Sequence, residues 1–77
     1  MTAYEWAKVL RSKHHPGWDA LADVLEREHT QTAAAKRLGV SIAYLGDVLH
    51  ERRYIAAIAG RLGFVVEEKW RKKASLT

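Results

Sequence analysis

The chain has 77 residues, 48% of them hydrophobic and 29% charged, with a net charge of +4 and no cysteine. That length supports one small domain with a single core and makes self-association an expectation, while the lack of thiols excludes disulfide staples and thiolate-zinc sites. No apolar run approaches the roughly 18 residues of a membrane span, and the first turns lack the pattern of a secretion signal, so a cytoplasmic protein is expected.

Trp6, Val9, Leu10 and Lys13 recur at helical spacing, which predicts a first helix over about residues 2–13 with Trp6 turned inward. His14-His15-Pro16-Gly17 interrupts it, because proline lacks an amide donor and disfavours helix in the residue before it. A second helix is expected over about 18–28, with Trp18, Leu21, Ala22 and Leu25 as its apolar stripe and Asp19, Asp23, Glu26 and Arg27 on the wet side. Thr30 is the expected N-cap of a third helix over 31–38, closed by Gly39 in the left-handed conformation. Ser41 then caps a fourth helix over about 42–50 that buries Leu45, Val48 and Leu49. Ile55, Ile58, Ala59 and Leu62 predict a fifth helix over 54–62 that stops at Gly63. In the remainder Phe64, Val66 and Trp70 alternate with period two, although Glu67-Glu68-Lys69 also suits a helix; a short strand or extended arm over 64–77 is the expectation. The predicted fold class is all-α: one domain, a bundle of about five helices, with a short C-terminal strand or arm.

Two helices meeting steeply across the three residues Gly39-Val40-Ser41 would crowd their backbones, and the small residues of 33–35 answer that need. Ala35 is expected at the closest crossing, Gly39 supplies a positive φ that other residues adopt only at a cost, and Val40, Leu45 and Val48 fill the wedge. This is the internal logic of a helix-turn-helix over about 30–50.

By Gln31, Ala35, Gly39, Val40, Leu45 and Val48, with Gly39-Val40-Ser41 and Tyr44-Leu45, the chain resembles the lambda-repressor-like (Cro and repressor type) helix-turn-helix proteins common in phages and mobile elements. Arg52-Arg53, followed by a segment ending Leu62-Gly63-Phe64, also looks like small phage-type regulators, so the resemblance covers about residues 18–64. It implies a transcriptional regulator, of repressor type, that binds operator sites in double-stranded DNA as a homodimer. The helix from Ile42 would then lie in the major groove as the recognition helix.

On a helical wheel the outer face of that helix collects Ile42, Ala43, Gly46, Asp47 and His50. Here the sequence departs from the resembling family, which often carries Gln, Asn, Ser, Lys or Arg where Ile42, Ala43 and Gly46 stand. Ile42 and Ala43 suit thymine methyl groups, Asp47 suits the cytosine amino group, and His50 can donate to a base or phosphate. Gly46 in mid-helix costs about 1 kcal/mol relative to alanine, which close approach of DNA would offset, with DNA shape carrying part of the specificity. Two positions have a second reading: Ile42 as a residue folded inward on the core, and Asp47 as a solvated carboxylate or a partner for Arg53.

Phosphate contacts are expected from Gln31 and Thr32 at a helix N-terminus, with Ser41, Tyr44, Arg52, Arg53 and Lys36. Charge supports this division: through Leu49 six basic residues are cancelled by six acidic ones, whereas from His50 onward seven basic residues meet three acidic ones. Arg71-Lys72-Lys73 reads as a solvated tail or a DNA-touching arm. Trp6 and Trp18 are expected in the core, and Trp70 at a dimer contact.

His14, His15, His29 and His50 lack metal-ligand spacing, and no nucleophile with a base, phosphate-cradling glycine loop or paired carboxylates emerges. Neither catalysis, a metal, a cofactor nor a small-molecule ligand is therefore expected. Two other functions fit the oily outer face: a protein-interaction module of antitoxin or adaptor type meeting its partner through Ile42 and Ala43, and an accessory DNA-bending factor in recombination.

Overall fold

Thr2 opens the first element with a capping box. Its hydroxyl accepts from the Glu5 amide at 3.1 Å while the Glu5 carboxylate accepts from the Thr2 amide at 3.1 Å. The structure, a computed structural model, describes residues 1–73, and from this cap α1 (Ala3–Arg11) runs with Ala3, Ala7 and Leu10 buried and Trp6 half-buried. Val9 points outward at 42% exposure, so the inner face is the alanine side, which lets α1 lie close along α2 (Pro16–Glu28).

α2 begins two residues earlier than the apolar stripe predicts. Pro16 takes the first helical position, where its missing donor costs nothing, and the Nδ1 of His15 accepts from the Gly17 amide at 3.0 Å as the N-cap. The predicted stripe of Trp18, Leu21, Ala22 and Leu25 is buried, and His29 closes the helix at φ +69°. Arg11 straps α1 to α2 by donating to Asp23 at 2.7 Å and to Glu26 at 2.8 Å, and these bonds, Asp23 first, raise its pKa further above its ordinary value. All three side chains are exposed, so the strap orients the helices more than it stabilises them.

α3 (Gln31–Leu38) starts as expected at Thr30, whose hydroxyl accepts from the Ala33 amide at 3.0 Å, and ends at Gly39 with φ +71°. The amides of Gly39 and Val40 return to the Lys36 and Ala35 carbonyls, satisfying the last turn. Ser41 caps α4 (Ile42–Leu49) by accepting from the Tyr44 amide at 3.0 Å. Ala34, Ala35 and Leu38 from α3 and Leu45, Val48 and Leu49 from α4 join the α1 and α2 residues in one core, with Val40 half-buried against it.

The predicted fifth helix is corrected. Residues 54–62 form two 3-10 turns, Ile55–Ile58 and Gly60–Leu62. Gly60 weakens a continuous helix in the middle of the segment, and a 3-10 turn stacks residues three apart, which keeps Ile55 and Ile58 together on the core. Gly63, at φ +86°, turns the chain into β1 (Phe64–Val66), which pairs antiparallel with β2 (Trp70–Lys72) in the register Phe64 to Lys72, Val65 to Arg71 and Val66 to Trp70.

The all-α class is thus amended to a mostly helical fold, with four α-helices and a small hairpin among the described residues. Part of the expected arm is the hairpin; residues 74–77 lie outside the described residues. Trp70 has an intramolecular seat: it meets His15 and Phe64 edge-on at 5.0 and 5.4 Å between ring centroids, over Gly17. A Cβ at Gly17 would stand 2.7 Å from the indole, so any other residue there would displace Trp70 from this seat. Among the described residues, no helix is long and apolar enough to cross a membrane.

Candidate nucleic-acid interface

α4 has two unlike faces because Leu45, Val48 and Leu49 are fixed in the core and everything opposite them must turn out. Ile42 is 53% exposed, which excludes the inward-folded alternative in this structure, and Ala43 is exposed beside it. Gly46 is half-buried, yet a Cβ built there would find nothing within 4 Å. The glycine is therefore not required by packing among the described residues. Tyr44, half-buried, lies between the two faces.

After α4 the chain doubles back. Glu51 adopts φ +59°, and the Asp47 carbonyl accepts from both the Arg52 amide at 2.7 Å and the Arg53 amide at 3.3 Å. This wrap returns both guanidinium groups to the Asp47 carboxylate, Arg52 Nη1 at 3.6 Å and Arg53 Nε at 3.7 Å. The Arg53 guanidinium also sits over the Tyr44 ring, 4.4 Å from its centroid. Of the two alternatives for Asp47, pairing with Arg53 is present, and Arg52 shares it.

The other predicted contacts are dispersed. Gln31 is half-buried and donates through Nε2 to the Met1 carbonyl at 3.2 Å, while Thr32, Lys36 and Ser41 are exposed. His50 leaves the outer face of α4 and meets Trp6 of α1 edge-on at 5.1 Å. His15 is engaged as the cap of α2 and against Trp70. The structure therefore brings together Tyr44, Asp47, Arg52 and Arg53 beside the outer face of Ile42, Ala43 and Gly46. It commits Gln31 and His50 elsewhere.

Four features lie beyond what the sequence predicts. Arg61 donates to the Leu38 carbonyl at 3.0 Å, closing the end of α3, and Lys73 donates to the Gly60 carbonyl at 3.0 Å, so two cations counted toward the basic excess serve the fold. Tyr54 is 87% exposed directly after the arginine pair. Lys13 pairs with Glu51 at 3.3 Å and lies over Trp18, 5.2 Å from the ring centroid, anchoring the turn that carries the arginines. Arg71, in the basic run, pairs with Glu67 at 2.9 Å. The Arg71–Glu67 pair, four residues apart, had a local signal, whereas the bonds of Arg61 and Lys13 span distant parts of the chain. The chain matches no protein-family model, no curated protein and no solved structure.

Proposed function

We propose that this chain is a sequence-specific double-stranded DNA-binding protein, a small transcriptional regulator of repressor type. α3 and α4 act as a helix-turn-helix, with α4 entering the major groove. The observation that carries the proposal is the outer face of α4: Ile42, Ala43 and an unobstructed Gly46, exposed opposite a fully packed inner face and flanked by the arginine pair. Gly46, with no side chain, lets the middle of this face approach base edges closely, and the apolar groups of Ile42 and Ala43 match thymine methyls. Arg52 and Arg53, at the helix end, are positioned for phosphate oxygens, as is the exposed N-terminus of α4 at Ser41.

A homodimer reading half-sites about 34 Å apart accompanies this proposal, as it does for helix-turn-helix proteins generally. The proposal places the chain in the cytoplasm, on the nucleoid when bound, and assigns it no catalytic step or cofactor. Selection from random duplex DNA, followed by anisotropy titration at two salt concentrations, tests it. One enriched motif and affinity falling as salt rises are expected; no preference for any duplex would refute it. Replacing Arg52 and Arg53 together by alanine should weaken binding to every duplex roughly tenfold or more and flatten the salt dependence by about two counterions. The exposed Ile42 also supports a second reading, docking on a protein partner. A complex that survives high salt and forms without DNA would favour that one.

A further inference from the structure

Asp47 is the only charged side chain of α4, and it stands where a phosphate-binding site would least tolerate one. Its carboxylate is 36% exposed and within 3.6 and 3.7 Å of two guanidinium groups that are themselves 71% and 50% exposed. Those separations are loose ion pairs that leave the N–H groups of both arginines open to a stronger acceptor. The three charges form one cluster of two cations and one anion, and Tyr44 fixes the plane of Arg53 at 4.4 Å.

We infer that Asp47 is a specificity-determining residue that works by exchange: it holds the arginines in the free protein and releases them to DNA, where it needs a base amino donor in return. The inference rests on the DNA-binding proposal. When Arg52 and Arg53 turn to phosphate oxygens, the Asp47 carboxylate loses its counter-charges next to a polyanion. It gains a hydrogen bond in their place only where the major groove presents an exocyclic amino group, and the N4 amino of cytosine is the donor that suits a carboxylate. Elsewhere the charge stays unpaired and repels the backbone, so mismatched duplex is penalised while matched duplex is not. Asp47 thereby lowers generic affinity and turns two sequence-blind cations into part of a selective site.

The test compares wild type, Asp47→Asn and Glu67→Gln on the selected duplex and on an unrelated duplex of equal length, by anisotropy across a salt series. Asn is isosteric and leaves the Asp47 carbonyl, which holds the Arg52 and Arg53 amides, in place. Glu67→Gln makes the same change in net charge on the hairpin, where Glu67 pairs with Arg71. Asp47→Asn should bind unrelated duplex about threefold to tenfold more tightly and reduce the ratio of selected to unrelated affinity by about tenfold. Its log affinity against log salt should steepen by about one. Glu67→Gln should change either affinity less than about twofold, the scale of an exposed pair. Equal effects of the two variants would reduce the role of Asp47 to net charge and overturn the inference. So would an Asp47→Asn protein that binds unrelated duplex no better than wild type. If Asp47→Asn fails to fold, Asp47→Ser is read by the same criteria. A wild-type protein that binds no duplex would instead refute the DNA-binding proposal itself, and the exchange with it.

Discussion

The Glu5 carboxylate closes the Thr2 capping box and also sets a negative charge on the first turn of α1, where the helix dipole favours it. Its pKa is lowered, chiefly by the hydrogen bond from the Thr2 amide and then by that from the Thr2 hydroxyl. A lowered folded-state pKa means the charge stabilises α1 above the unfolded-state value and ceases to do so as pH falls through the folded one. Glu5→Gln keeps a capping side chain without the charge. The gap in urea midpoint between wild type and Glu5→Gln should therefore be present at neutral pH and close on acidification below the ordinary carboxylate range. Caps of this kind divide by how local they are. Thr30, Gly39 and Ser41 could be read from the sequence because each acts within four residues of itself. The bond from Arg61 to the Leu38 carbonyl could not, since it spans 23 residues and depends on where the 3-10 turns deliver the side chain.

α4 separates folding from function most cleanly among the elements. Gly46 is an unfavourable residue in mid-helix, and a Cβ there would meet nothing within 4 Å. Gly46→Ala should therefore raise stability by about 0.5–1 kcal/mol, read from urea unfolding, while weakening duplex binding at least several-fold. A gain in stability with unchanged binding would remove the reason for close approach at that position. The helical segments were legible because each buries a stripe at period 3.6, as with Trp18, Leu21, Ala22 and Leu25. Residues 54–62 kept the same apolar spacing but not the α-helix, because spacing three apart serves a 3-10 turn equally well and Gly60 removes the propensity that would have decided between them. The candidate interface was half legible. The outer face of α4 follows from the wheel, whereas the wrap that brings Arg52 and Arg53 back to Asp47 depends on Glu51 at φ +59°, which nothing in its side chain foretells.

At the scale of the whole molecule, an aromatic seat fastens the hairpin to the start of α2, beside the bond from Lys73 to the Gly60 carbonyl. Trp70 joins Phe64 of its own hairpin to His15 and Gly17 at the start of α2. From the sequence Trp70 is expected at a dimer contact, because so short a chain has little core to spare. The room comes from a glycine, which opens α2 to the indole within its first turn. Trp70→Ala should cost about 2 kcal/mol, less than the roughly 3–5 kcal/mol of a fully buried aromatic, because the indole is only half-buried. Chemical denaturation checks the magnitude, and amide exchange should show β1 and β2 loosened while α1 to α4 stay protected. The helical core would then remain intact beneath an outward-facing α4.

That orientation is tested most directly by titrating the nitrogen-15-labelled protein with the duplex recovered by selection and following each backbone amide by NMR. The expected result is that the largest shifts fall on Ile42, Ala43, Gly46 and Asp47, with Arg52 and Arg53, and that the amides of β1 and of mid-α1 stay still. Shifts centred on the hairpin or on α1, with the outer face of α4 unmoved, would contradict it.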